Sequence, residues 1–180
     1  MGLFSKTKNT ETPQTERAVA CVGAKKIRLN FGAMSEQDIS AMSSETLQAG
    51  GWVEAPEPEI GDKMPDGTVF AGISPDTSKP MYATPADAPL TYTFNEARAY
   101  AKELAAHGHQ DWRVPTKAEL NVLFNNRAAI GGFNLTGSSA AGWYWSASQH
   151  DEWTARDQRF RDGYQFNNIK VIHSSLRCVR

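Results

Sequence analysis

Three groups of residues in this sequence carry side chains and spacings that could do chemistry. Ala106-His107-Gly108-His109 sets two imidazoles two positions apart, but no carboxylate or cysteine accompanies them at metal-ligand spacing. Histidines at the end of a helix complement its dipole, so a structural role is expected and no metal is assigned. Arg156, Arg159, Arg161, Arg177 and Arg180 gather toward the C-terminus. Their planar forks could hold a sulfated glycan or another anion. Asp151, Glu152, Asp157 and Asp162 lie among them, and pairing between these charges is the expected use. Cys21 and Cys178 are the only cysteines, too few for a disulfide framework or a four-cysteine zinc site. Two free thiols are expected, Cys178 buried in a strand, with a Cys21–Cys178 pair as the alternative. The sequence holds no Gly-x-Ser-x-Gly elbow, P-loop or dinucleotide fingerprint. No catalytic residue and no cofactor are assigned, and an enzyme is not expected.

The bulk properties narrow the class. A chain of 180 residues, 40% hydrophobic and 10% aromatic, suits one globular domain with a small appendage. A formal net charge of −1 gives no basic field for nucleic acid. No apolar run has the length of a signal-peptide core or a membrane span. A cytoplasmic location is the default expectation, with display on a virion or cell surface as the alternative.

The elements that must position these groups follow from spacing. Residues 1–17 are polar, without a period, and read as a flexible tail. Residues 18–55 read as an appendage and linker: Ile27, Leu29 and Phe31 alternate as in a strand, and residues 35–48 suggest a short helix with Ser35 as a weak cap. Gly50-Gly51 and the proline-spaced run after Glu54 mark the start of the main domain, residues 56–180. A hairpin is expected over 68–73 and 79–84 around Ser74-Pro75-Asp76. Thr93-Phe94-Asn95-Glu96 and Thr116-Lys117-Ala118-Glu119 are capping boxes opening two helices. Ala97, Tyr100, Ala101 and Leu104 line the first, Leu120, Leu123 and Phe124 the second, and Gly108 is placed to stop the first. Trp143-Tyr144-Trp145-Ser146 reads as a strand with both tryptophans on one face. Further strands are expected around 157–160, 164–166 and 176–180, with Asp162-Gly163 as a hairpin turn. Trp112, Trp143 and Trp145 are expected in the core, with stacking against a sugar as the alternative.

Four stretches of wording carry a resemblance: Asp111-Trp112-Arg113-Val114-Pro115-Thr116-Lys117-Ala118-Glu119-Leu120, Tyr144-Trp145-Ser146, Arg159-Phe160-Arg161-Asp162-Gly163, and the terminal Leu176-Arg177-Cys178-Val179-Arg180. Together they resemble the Lcl C-terminal family (DUF1566), over about residues 60–180. The resemblance implies a C-type-lectin-like α+β fold, two helices against short antiparallel sheets, used for binding in bacterial and phage surface or adhesion proteins. Related sequences serve as variable proteins of diversity-generating retroelements, in which mutagenesis rewrites chosen codons near the 3′ end of the gene. Calcium-dependent lectins of this fold carry Glu-Pro-Asn and Trp-Asn-Asp ligands. Here Glu57-Pro58-Glu59 lies in the linker and no Trp-Asn-Asp is present. Formylglycine-generating enzymes of the broader fold need two nearby cysteines, and Cys21 lies outside the domain.

Between the family-like words stand two patches. One is His150, Asp151, Glu152, Trp153 and Thr154 with Arg156 and Asp157; the other is Phe166, Asn167, Asn168 and Ile169 with Val171, Ile172 and His173. Neither shows a clean period of 2 or of 3.6. Aromatic anchors mixed with adaptable polar groups suit a receptor surface, and all fourteen are expected to form a variable ligand-binding face. The expected partner is a protein or glycan, with no nucleic acid, no membrane insertion, and homo-oligomerisation through the N-terminal region as an option. Alternatives are a fixed-sequence adhesin or glycan binder and a structural component of a phage tail.

Overall fold

Thr93 and Thr116 each close a full capping box in the computed structural model, which describes residues 26–28, 52–54, 57–137 and 140–180. The hydroxyl accepts from the amide three residues on, and the glutamate there reaches back to the cap amide, so two otherwise orphaned donors are satisfied at each helix start. Helix α1 spans Phe94–Glu103 and α2 spans Lys117–Asn125. Gly108 does not stop α1. The helix ends at Glu103 with Leu104 in extended conformation, and the chain then folds into a tight turn in which Ala106 and His109 pair. His107 and Gly108 both take positive φ, 56° and 76°, so the glycine serves that turn and not a helix cap.

The chain divides into two compact units, Met1–Pro56 and Glu57–Arg180. In the first, β1 (Lys26–Arg28) pairs antiparallel with β2 (Trp52–Glu54). The N-terminal tail, the expected helix at 35–48 and Cys21 lie outside the described residues.

The second unit is mixed α+β with short antiparallel strands. β3 (Val69–Ile73) and β4 (Pro80–Ala83) form the expected hairpin, with a register shift between Phe70 and Gly72. A short helix α3, Arg127–Ile130, follows α2. β5 (Trp143–Gln149), β6 (Thr154–Arg159) and β7 (Gln165–Ile169) make an antiparallel meander in that order. Gly163 turns β6 into β7 at φ 82°, and a Cβ there would stand 2.5 Å from the Phe124 ring. The expected strand at 176–180 is an extended segment carrying isolated bridges. Val179 pairs with Ala83 on one side and with Arg113 on the other, so the C-terminus threads between β4 and the segment leading into α2.

Alternation along these segments separates two cores. Tyr144 and Val179 enter one with Val69, Met81, Leu120, Leu123 and Phe160, beneath α2 and the hairpin. Trp145 and Cys178, their immediate neighbours, enter the other with Phe94, Ala97, Ala101, Trp112 and Leu176, beneath α1. β5 and the C-terminal segment are thus covered on both faces, as the period-2 pleat requires when consecutive residues are both buried.

Two buried charges tie the pieces together. Glu119 is fully buried and accepts from both terminal nitrogens of Arg113, from the Ser74 hydroxyl at 2.6 Å and from the Thr116 amide at 2.9 Å. Burial alone would raise its pKa, but Arg113, Ser74 and the Thr116 amide outweigh that and hold it at about 2. Arg177 is also fully buried. Its Nε donates to Asp87 (2.8 Å), its terminal nitrogens to the carbonyls of Thr84, Gly131 and Gly132, and it lies 4.0 Å from the centre of the Phe133 ring.

The depressed carboxyl of Glu119 stabilises the fold above its unfolded pKa of 4.5. That contribution, roughly 3 kcal/mol at most, is lost as pH falls toward 2. Glu119→Ala should lower unfolding free energy at pH 7 by about 3–5 kcal/mol, because it leaves the Ser74 hydroxyl, the Thr116 amide and the Arg113 charge without their acceptor. Urea unfolding at pH 7 and pH 3 checks this: the difference between variant and parent should shrink at the lower pH.

Candidate functional site

The residues of the two patches run from the β5–β6 loop along β6 and β7 to the turn after β7. Asp151 shapes the β5–β6 loop by accepting from the amides of Trp153 and Thr154 at 2.8 and 2.7 Å, an Asx-type turn. His150, Asp151, Glu152 and Trp153 are exposed in that loop, Trp153 to 73%. Thr154 and Arg156 are half-buried on β6. The second patch is more regular than its composition suggested. Phe166, Asn167, Asn168 and Ile169 belong to β7, in register with β6, so their side chains alternate between faces. Phe166 and Asn168 share a face with Trp143, Trp145 and Asp157, whereas Asn167 and Ile169 share the opposite face with Thr154 and Arg156. Val171, Ile172 and His173 follow in a turn, with Val171 and His173 exposed and Ile172 half-buried. One ligand therefore cannot meet the whole set at once.

Asp157 departs from the expectation. It is 1% exposed and cannot be a surface contact. It sits mid-sheet, opposite Phe166 and Trp145, where the pleat turns it inward. Asn168 donates to its Oδ2 at 3.0 Å, its Oδ1 has no partner, and it makes no ion pair among the described residues. Burial pushes the carboxyl up to about 6, against the opposing bond from Asn168.

Directly over this face lies a cleft of about 360 Å³ lined by Trp143, Tyr164, Phe166, Asn168, Ile172, His173, Ser174 and Ala140. Trp143 meets Tyr164 edge-on, and Tyr164 stacks on Phe166, each at 6.2 Å between centroids. The Ser174 hydroxyl is buried and unpartnered. His173 is fixed through Nδ1 to the Thr91 carbonyl at 3.1 Å. Trp143, Tyr164 and Ser174 lie outside both expected patches; the sequence suggested a site only for Trp143, as the alternative to a core position, and for Tyr164 and Ser174 not at all. The available signal was an aromatic residue directly after the Asp162-Gly163 turn, where a strand end reaches solvent.

The arginines are mostly engaged. Arg159 forks onto Asp162 at 2.9 and 2.6 Å, Arg180 meets Asp111 at 3.0 Å, and Arg177 meets Asp87 inside the fold. Arg156 and Arg161 make no ion pair among the described residues. Both histidines of the His-x-His pair turn to Asp66: His109 Nε2 lies 2.8 Å from its carboxylate and His107 Nδ1 lies 3.1 Å from its carbonyl. Burial would raise the Asp66 carboxyl, but the bonds from His109 and Thr68 hold it at about 2. Trp112 and Trp145 are core, while Trp143 is half-exposed in the cleft wall. Cys178 is a free thiol pushed up to about 12 by burial, which keeps it protonated and unreactive. Among the described residues, no cluster of three or more His, Cys, Asp or Glu is placed to hold a metal ion. No described helix is long and apolar enough to cross a membrane.

A second, wider groove of about 760 Å³ opens at the start of α2, between Asp76, Thr116, Lys117, Asn121, Ser148 and Gln165. Two amides at the start of the helix are already used: Thr116 N–H donates to Glu119 and Lys117 N–H to Ser148 Oγ, both at 2.9 Å.

Asp157 has a folded-state pKa above its unfolded value, so the folded chain binds its proton more tightly and stability falls as pH rises from about 4 to about 6. Asp157→Asn keeps an acceptor for Asn168 and removes the charge. It should raise stability by up to roughly 3 kcal/mol at pH 7.5, a gain that vanishes below pH 4. Urea midpoints across that range check it, and an unchanged midpoint at pH 7.5 would show that the buried charge is compensated.

The family model of the Lcl C-terminal domain matches residues 73–180. No curated protein matches the chain. The matched span takes in β4, all three helices of the second unit, the meander and the threaded C-terminus. With more than half of its length matched, the chain belongs to the Lcl C-terminal domain family.

Proposed function

We propose that Glu57–Arg180 is a non-enzymatic, C-type-lectin-like binding domain that presents a changeable C-terminal face to a protein or glycan partner. In this reading the chain is a variable protein of a diversity-generating retroelement. One observation carries it. Large apolar side chains stand in solvent along the β5–β6 loop, β7 and the turn after it: Trp153 at 73%, Phe166 at 46%, Ile169 at 50% and Val171 at 75% exposure. Side chains of this size and exposure, carried on one loop, an edge strand and the turn after it, suit a recognition surface. The family-like words, by contrast, supply the fixed parts: Arg113, Tyr144, Trp145, Arg159, Arg177 and Arg180 each hold a hydrogen bond that joins separate segments or pins a turn. A protein whose contacts are rewritten needs that division, since core substitutions typically cost several kcal/mol and exposed ones little.

The absence of an enzymatic role is part of the proposal, supported by the protonated Cys178 and by the engagement of both histidines with Asp66. Anion binding by the arginines is a weaker reading, because Arg159, Arg177 and Arg180 already have carboxylate partners.

Genomic DNA around the gene tests the retroelement role. The expected finding is a reverse-transcriptase gene nearby and a near-copy of the 3′ end, with differences falling at adenines in codons for residues 150–154, 156, 166–169 and 171–173, and not for the buried Ala155 and Asp157. A locus without either element would overturn that assignment.

A further inference from the structure

The cleft above Asp157 combines features that select one kind of ligand. Its walls are aromatic, from Trp143, Tyr164 and Phe166. Ser174 lines it, and its buried hydroxyl has no hydrogen-bond partner. Asp157 lies on the same sheet face, cross-strand from Phe166 and bonded to the lining residue Asn168, and its Oδ1 is likewise unpartnered. The cations nearby are committed elsewhere. Arg159 is forked onto Asp162, and Lys170 donates to Gln149 and to the carbonyls of Asp151 and Glu152. Arg156 belongs to the opposite face of the sheet, and His173 is bonded to Thr91. The carboxylate under the cleft thus lacks a counter-charge among the described residues.

We propose that this cleft takes the guanidinium of an arginine side chain carried by a partner polypeptide. This rests on the reading of the C-terminal face as a binding surface and names the chemistry of its occupant. A neutral apolar occupant would cover Asp157 more deeply and leave both free oxygens without donors, which costs free energy. An anion would meet a buried negative charge. A guanidinium brings a delocalised charge, a flat face for the rings, and five donors in a fork. An alkylammonium is more strongly hydrated and stacks poorly. The rings already accept this group from within the chain: the Arg159 guanidinium lies 5.2 Å from the Trp143 ring centre and 5.6 Å from that of Tyr164. Held by Asp162, Arg159 caps one side of the aromatic row and leaves Phe166 and Ser174 for the visitor. At about 360 Å³ the cleft has room for one side chain. The charge of Asp157 acts from beneath the floor, where low polarisability lets it reach across several ångströms.

The test is an NMR titration of the full chain with acetyl-Gly-Arg-Gly-amide, repeated with lysine or citrulline in place of arginine, and with free guanidinium ion. The expected result is saturable shifts of the Trp143 indole and the Asn168 and Ser174 amides. Binding should weaken about tenfold or more with the uncharged citrulline peptide and in Asp157→Asn, the loss of one attraction between opposite charges across the floor of the cleft. Arg161→Ala, an exposed change outside the cleft, should leave it unaltered. No saturable shift, equal binding of the citrulline peptide, or unchanged binding by a folded Asp157→Asn would each overturn the inference, as would a preference for lysine. Equal affinity for free guanidinium ion would overturn the assignment to a partner's side chain. The two readings fail separately: a citrulline peptide seated in the same cleft removes the guanidinium and keeps the binding face, whereas a silent titration leaves the face to be judged by the genomic locus.

Discussion

The buried guanidinium of Arg177 is the constraint on which the rest of the second unit depends. A fully desolvated cation is tolerable only when its donors are met, and here they are met from three separate places: Asp87, the Thr84 carbonyl at the end of the hairpin, and the carbonyls of Gly131 and Gly132. Asp87 in turn accepts from the Tyr144 hydroxyl at 2.6 Å, and that oxygen receives the Asn134 amide. The glycine loop is thereby held against the C-terminal segment and β5 by charge and hydrogen bonds, together with the packing of Phe133 on Tyr144 and Phe160. Gly132 is needed in this arrangement: at φ 74° a Cβ would lie 3.0 Å from the Pro85 carbonyl and 3.1 Å from Arg177.

Glu119 does the same at the other side of the first core, joining the hairpin turn, the segment before α2 and the helix cap. The two clamps share a logic. Each puts one charged group where several loops converge, and each obliges those loops to adopt a single arrangement because any other leaves a buried charge unmatched. The meander between them can then end in solvent-facing residues without depending on those residues for its position. β5 and β6 are buried on both faces, while β7 is an edge strand whose residues are half-buried or exposed. Tolerance to substitution should increase in that order across the sheet.

Asp157 runs against this logic, since its charge is buried and its oxygens are only partly met. Natural proteins keep such groups where a function offsets the cost, and the aromatic cleft above it is the feature that could do so. The electrostatics of the proposed binding face therefore include a charge that the free surface does not display.

Much of the frame was legible in the sequence because its signals are local. The capping boxes at Thr93 and Thr116, the turn chemistry at Asp162-Gly163, and the alternation through Trp143-Tyr144-Trp145 each depend on neighbours within a few residues, and the family-like words fixed the α+β class. What the sequence could not decide were relations between distant segments. Gly108 looked like a helix stop until the turn at His107 was seen to use it, and Arg177 looked like one of a surface cluster until it was found bonded to Asp87, ninety positions away. Trp143 and Trp145 share a face, yet one is core and the other a cleft wall, because α1 covers only part of that face. The register of β7 on β6 divided the second patch between two faces and turned Asp157 inward. Side-chain chemistry and short-range capping belong to the chain itself, whereas burial, pairing and exposure arise only when remote segments exclude water from one another, and it is there that the site took its form.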